Sequence, residues 1–250
     1  SNTNPGELKN ALGLKDIIGN NYKSFMLYDR QVTIDKEVNL DSAADDYKKL
    51  EISNSSVINN NKIEGKQNSQ TAIAQENNKT NKDAVTITNN KEINLSGEKS
   101  TGIYAKYGMI NNAAGATITA TGKNSAGIYA LKNTEVKNEG TITVGEKSTG
   151  IFYSDVESKE THTTETGLKN EGTITLTGTD AVGMYYEPGK LVTSNSVTFE
   201  NAEKGTITAT TDSAVGMYAK VFSKDDKSYK TINAGKIELQ NGTKDNPTVG

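Results

Sequence analysis

Serine is the residue that recurs where a nucleophile would be placed. Gly97-Glu98-Lys99-Ser100-Thr101-Gly102, Gly122 to Gly127 around Ser125, and Gly145 to Gly150 around Ser148 share the pattern G-x-x-S-x-G. An acyl-transfer elbow has the shorter spacing G-x-S-x-G and a base within reach of its serine. A catalytic serine is also not used three times over, and His162, the single histidine, cannot serve Ser100, Ser125 and Ser148 together. The spacing therefore predicts a repeated tight turn. Two of these stretches contain Gly-Glu-Lys-Ser, but a phosphate-cradling loop has G-x-x-x-x-G-K-[ST] between a strand and a helix, and no helix-like stretch follows.

Carboxylates are the next candidates, since glycoside hydrolysis needs a pair of them about 5 to 9.5 Å apart. Acidic clusters stand at Asp41, Asp45 and Asp46, at Glu157, Glu160 and Glu165, and at Asp225 and Asp226, and the single arginine is Arg30. All fall in predicted loops or near the N-terminus, where solvated charge is the ordinary condition. Metal chemistry has little to work with: there is no cysteine, and calcium-binding nonapeptides need Gly-Gly pairs that the chain lacks. The expectation is a chain that is not an enzyme and holds no cofactor or metal. A carbohydrate-active enzyme is the rival reading.

The elements that would position these residues repeat. Gly102-Ile103-Tyr104, Gly127-Ile128-Tyr129, Gly150-Ile151-Phe152, Gly183-Met184-Tyr185 and Gly216-Met217-Tyr218 are five copies of one motif. A second motif precedes several of them: Asn138-Glu139-Gly140-Thr141-Ile142-Thr143, Asn170 to Thr175 and Asn233 to Glu238, with looser versions from Asn112, Asn201, Asn60 and Asn90. Self-similarity at 20 to 50 residues marks a solenoid. The short runs alternate apolar and polar residues, as in Thr141-Ile142-Thr143-Val144, so each is a strand with one inward face. The fold expected is all-β, a right-handed parallel β-helix (β-solenoid) of about seven coils running over 51–250, with 1–50 as an N-terminal cap. Weak helical character around Leu8, Leu12 and Ile18, then strand-like runs from Tyr22 to Tyr28 and Val32 to Leu40, make up that cap. Pro247-Thr248-Val249-Gly250 aligns with Ser213-Ala214-Val215-Gly216, so the pattern reads as cut in mid-coil.

Steps between the repeated isoleucines vary, from 24 residues between Ile118 and Ile142 to 33 between Ile174 and Ile207. A solenoid keeps its cross-section and expels extra residues as loops on one face. Those insertions fall at 154–166, 187–197 and 220–230, always after the aromatic motif, and are expected on one side.

Composition agrees with a thin rod. Only 33% of residues are hydrophobic and there is no Trp, and 28 basic against 31 acidic groups leave a net charge of -3. That balance favours neither nucleic acid nor an acidic membrane surface. No run approaches the roughly 20 apolar residues of a membrane helix.

Repeated N-x-G-T-I-T strands followed by G-x-x-S-x-G-I-Y resemble the passenger repeats of very large autotransporter adhesins, above all the fusobacterial ones, over about 50–250. The resemblance implies type V secretion, extracellular display at the bacterial surface, an outer-membrane barrel in a part outside this segment, and adhesion to a host-cell or microbial surface protein or glycan. A non-binding spacer stalk is a further alternative. Two sets of residues are candidates for partner contact. The aromatic column Tyr104, Tyr129, Phe152, Tyr185 and Tyr218 is expected to point outward as a ladder, gripping a partner or simply stacking on itself. Around the insertions stand Glu157, His162, Tyr186, Lys190, Phe222 and Asp225. The asparagine column Asn112, Asn138, Asn170, Asn201 and Asn233 is read as structural, with amides bonded rung to rung.

Overall fold

In the computed structural model of the chain, residues 31–42, 49–52, 56–76, 85–154, 166–188, 197–220, 229–243, 245 and 247–250 are described. They form a parallel β-helix with three faces, traversed in the same order by each coil. The threonine face is an eight-stranded sheet running from Val38–Asn39 through Lys62–Gly65, Glu92–Leu95, Thr117–Ala120, Thr141–Val144, Thr173–Leu176 and Thr206–Ala209 to Lys236–Leu239. Every pairing in it is parallel and in register, so Ile63, Ile93, Ile118, Ile142, Ile174, Ile207 and Ile237 stack in one inward column. The other two faces carry the aromatic and the asparagine motifs. They are joined because Thr101–Asn112 and Ala126–Asn138 each bend from one face onto the next without a break.

The alternation that predicted strands is visible as burial. Thr141, Ile142, Thr143 and Val144 read half-buried, buried, half-buried, buried, and the same pattern recurs on each threonine strand from Lys62–Gly65 to Thr206–Ala209. Inward residues from all three faces make one continuous core along the axis.

Two tight turns close each coil, many of them built on glycine. At the asparagine turn, between the asparagine and threonine faces, seven amides, all buried but the last, form an unbroken ladder. Asn59 donates to Asn89 (2.8 Å), Asn89 to Asn112 (2.9 Å), Asn112 to Asn138 (2.8 Å), Asn138 to Asn170 (2.7 Å), Asn170 to Asn201 (2.8 Å) and Asn201 to Asn233 (2.9 Å). The first two rungs use Asn59 and Asn89, one residue before the Asn60 and Asn90 that begin those stretches in the sequence reading. Asn60 and Asn90 instead form a short exposed ladder of their own, Asn90 donating to Asn60 and Asn60 to Asp35.

Pairing starts earlier than residue 50. Gln31–Ile34 pairs in parallel with Ser56–Asn59, and Val38–Asn39 with Lys62–Gly65, so 31–39 already belong to the first coil. This corrects the expected boundary and raises the threonine face from seven rungs to eight. The sequence missed it because this coil has no Gly-Ile-Tyr motif, only the alternation of Val32, Ile34, Val38 and Leu40, all buried. The Asp41 carboxylate accepts from the backbone N–H of Lys66 (2.9 Å) and Gln67 (3.3 Å) and from Gln70 Nε2 (3.0 Å), covering the turn of the next coil. The cap proposed from Leu8, Leu12, Ile18 and Tyr22 to Tyr28 lies outside the described residues, as do Asp45 and Asp46.

Candidate functional site

The serine turn, between the threonine and aromatic faces, decides the nucleophile question. Ser100, Ser125 and Ser148 are buried and stacked. Ser125 Oγ accepts from the Ser100 N–H (3.0 Å) and Ser148 Oγ from the Ser125 N–H (2.9 Å), while Ser148 Oγ donates to a backbone carbonyl, with Glu146 O at 2.9 Å and Gly122 O at 3.1 Å. These hydroxyls close the turn from coil to coil. The residue before each serine is left-handed, with φ of 55° at Lys99, 58° at Asn124 and 52° at Lys147, and the series continues at Asp180 and Ser213. The pattern is a turn motif.

Ile103 and its counterparts point inward and the aromatic column outward. Ring centroids are 5.7 Å apart for Tyr104 and Tyr129, 4.6 Å for Tyr129 and Phe152, 5.0 Å for Phe152 and Tyr185 and 5.1 Å for Tyr185 and Tyr218, all stacked. The rings therefore cover one another's faces. Between Tyr104 and Tyr218 a sugar or a guanidinium that needs an open ring face meets only ring edges. Burial, then the Glu187 carboxylate, holds the Tyr185 phenol above its ordinary range, so it stays neutral. Lys220 closes this end of the ladder with an ion pair to Glu187 (2.7 Å).

Tyr186 is a correction. It was expected among the partner contacts, but it is wholly buried. Strand alternation explains this: Met184 points in, Tyr185 out and Tyr186 in. It packs against Tyr153 and Phe199 in the core. Glu157, His162, Lys190, Phe222 and Asp225 lie outside the described residues.

The ends of the insertions are described, however. The strands before them finish in register, Ser154 opposite Glu187 and Tyr186 opposite Ala219, and the strands after them begin in register, Thr166 opposite Val197 opposite Tyr229. The insertions thus leave and return at one corner, between the aromatic and asparagine faces, as the sequence predicted. Thr71–Glu76 ends and Thr86–Asn89 begins at the same corner, and the segment between them, 77–84, was not singled out. Its signal was present in the longer step from Ile63 to Ile93.

The threonine face is the opposite case. Thr117, Thr119, Thr141, Thr143, Thr173, Thr175, Thr206 and Thr208 form two outward columns whose hydroxyls bond to no other described residue. On the asparagine face several charges are paired. Lys137 bridges Glu139 (3.0 Å) and Glu171 (3.3 Å), and Lys169 meets Glu171 (2.7 Å). The Lys169 hydrogen bond, helped by Lys137 and opposed by burial, holds Glu171 below the ordinary carboxylate range. Among the described residues no three His, Cys, Asp or Glu side chains gather as a metal site, and no helix is long and apolar enough to cross a membrane.

A coil of three parallel strands, stacked through asparagine and serine ladders, is the geometry against which known families can be compared. The sequence matches the family described as the BigA third pectate lyase-like domain over residues 10–187 and again over 153–249. The chain belongs to this family. Two overlapping matches are what a solenoid yields, since one family pattern can be laid on successive sets of coils. In this family the term pectate lyase-like names the parallel β-helix seen here and does not by itself assign a reaction. No curated protein and no solved structure matched the chain.

Proposed function

We propose that this chain is part of a passenger displayed at the bacterial surface by type V secretion, and that it acts in adhesion to a host-cell or microbial surface protein or glycan. Membership of a family from BigA, a surface adhesin-like protein, supports a surface location. The observation that carries the adhesive reading is the registered corner: strands ending at Ser154, Glu187 and Ala219 and restarting at Thr166, Val197 and Tyr229 gather the insertions on one edge of a rigid rod. Segments that vary on a fixed scaffold are where recognition is usually placed. Rod and ladders supply the rigidity, the corner the contact.

The test replaces 155–165, 188–196 and 220–228 with the short bend that joins Leu131 to Thr134, and compares binding of the purified rods to epithelial cells, bacterial cells and a glycan array. Binding by the parent and loss in the trimmed rod, with unchanged far-UV circular dichroism, supports the reading. Equal binding by both places contact on the faces and overturns it. Absence of binding by both overturns it in favour of a spacer.

A further inference from the structure

One inner position of the coil differs sharply in size from rung to rung. Gln75, Ala105, Ala130, Tyr153, Tyr186 and Ala219 are paired in register along the aromatic face, at the last inward place before the insertion corner. Across the corner, the asparagine face holds Ile110, Val136, Leu168 and Phe199 in one inward column, two residues after the buried Thr134 and Val197. Where the strand bends from one face to the next without leaving, as in Thr101–Asn112 and Ala126–Asn138, the first position is alanine. In the second of these coils the Thr134 hydroxyl donates to the Leu131 carbonyl (2.6 Å) and closes the corner directly. Where the chain leaves after Ser154 and after Glu187, the position is tyrosine.

These tyrosines are not surface residues turned inward by chance. Tyr153, Tyr186 and Phe199 are the three largest fully buried side chains among the described residues. Tyr153 and Tyr186 lie 5.5 Å apart between ring centroids, and Tyr186 and Phe199 5.9 Å. Close packing demands that the inner space at this corner be filled, and here these rings fill it. An alanine there would leave a cavity. A tyrosine in the uninterrupted coil would be overpacked. Gln75, buried ahead of 77–84, follows the same rule. Two coils depart from it: Ala219 stands ahead of 221–228, and Ile52, paired with Gln75, has only three residues between it and the next strand, Ser56–Asn59.

We propose that Tyr153, Tyr186 and Phe199 form a wedge that fills the corner at which the chain leaves after Ser154 and after Glu187, and so lets those two coils carry an insertion. They act as positioning residues for the segments on that edge. That those segments contact a partner rests on the adhesive reading; the wedge does not.

Coupling between wedge and insertion is the test. Four proteins are compared: the parent; one carrying Tyr186→Ala and Phe199→Val, which copies the pair Ala130 and Val136; one in which 188–196 is replaced by the two residues Lys-Asn found at 132–133; and one with both changes. Thermal unfolding and amide exchange of Val182–Glu187 and Val197–Asn201 are measured. Each single change is expected to lower the Tm and to reduce protection in those two strands. The combined protein is expected to recover, losing less than the sum of the two. Tyr186→Phe, which keeps the ring, is expected to retain the parent's protection, and Ala130→Tyr to lower the Tm although its coil is otherwise untouched. Additive losses in the cycle would overturn the proposal, as would a shortened protein with the wedge intact that melts like the parent. Should the Ala/Val protein not fold, equal Tm values for Ala130→Tyr and the parent would still refute it. No arm uses cell binding, so the failure of this proposal and that of the adhesive reading are separately visible.

Discussion

Replacing Asn138 with alanine tests whether the amide ladder carries stability or merely accompanies it. Asn138 is wholly buried, takes a hydrogen bond from Asn112 Nδ2 (2.8 Å) and gives one to Asn170 Oδ1 (2.7 Å). Truncation leaves Asn112 Nδ2 with only a 3.5 Å approach to the Thr141 carbonyl, and Asn170 Oδ1 without its amide donor. Each buried polar group stripped of its partner costs about 1 to 3 kcal/mol, so the substitution should cost about 2 to 6 kcal/mol. At about 2 to 4 °C per kcal/mol for a chain of this size, the Tm falls by about 4 to 24 °C. Asn233 is the internal control. It stands exposed at the end of the ladder, and its loss leaves Asn201 Nδ2 with the Lys236 carbonyl at 3.4 Å, so Asn233→Ala should cost about 1 kcal/mol. Urea unfolding followed by far-UV circular dichroism, with the slope unchanged, measures both. Equal costs for the two variants, or a cost below about 1 kcal/mol for Asn138→Ala, would refute the ladder as a stabilising column.

Gly127→Ala should destabilise by about 1 to 3 kcal/mol, because the added Cβ would stand 2.6 Å from the Gly150 carbonyl oxygen and 2.5 Å from Ile142 Cγ2; a melting temperature equal to the parent's would contradict the close approach of the two faces. Lys147→Gly should be neutral or gain up to about 1 kcal/mol, since φ of 52° strains a side-chain-bearing residue and the lysine is exposed, and a clear loss in urea unfolding would contradict it. Glu171 has its pKa lowered chiefly by Lys169, so its contribution is present above the unfolded value near 4.3 and is lost as pH falls through the lower folded value. Lys137 and Lys169 are raised chiefly by Glu139 and Glu171, so theirs is present below about 10.4 and is lost as pH rises through the folded value. The Tm should therefore fall at both extremes of pH, and Glu171→Gln should flatten the acid limb; an acid limb unchanged in that variant would contradict the assignment.

The fold was legible because the repeat constrains each coil at several places at once. Gly-Ile-Tyr and Thr-Ile-Thr mark two strands and Asn-x-Gly a turn, and alternation within the strands separates Ile103 inside from Tyr104 outside. What escaped the sequence were features without a local signature. The first coil has only four alternating apolar residues to announce it. Asn59 and Asn60 are the same residue type side by side, and only strand phase assigns one to the buried ladder and the other to the surface. Tyr185 and Tyr186 pose the same ambiguity: adjacency suggested two exposed rings, and the period-two pleat sends one into the core. The insertion corner was legible from the irregular steps between isoleucines, but the wedge beneath it was not, because its members come from two faces and three coils.

The long insertions are confined to one corner for a reason found in the other two. At the serine turn, a Cβ on Gly122 would strike the Gly97 carbonyl, and one on Gly145 the Thr121 carbonyl; at the asparagine turn, a Cβ on Gly172 would strike the Gly140 carbonyl, and one on Gly235 the Gly205 carbonyl. Successive coils touch backbone to backbone at both turns, with the serine and asparagine ladders beside them. The asparagine turn accepts two extra residues, as between Asn112 and Thr117 or Asn201 and Thr206, without a break in the ladder, but a long insertion there would have to keep these close contacts and the buried ladder intact. The third corner has glycines against a neighbouring coil's carbonyls at Gly108 and Gly167, but no side-chain hydrogen-bond ladder. Its closure depends on side chains, the Ala130 and Thr134 of one coil or the Tyr186 and Phe199 of another, and side chains can be exchanged one coil at a time. The rod can therefore change what it presents along that edge without altering the step from coil to coil.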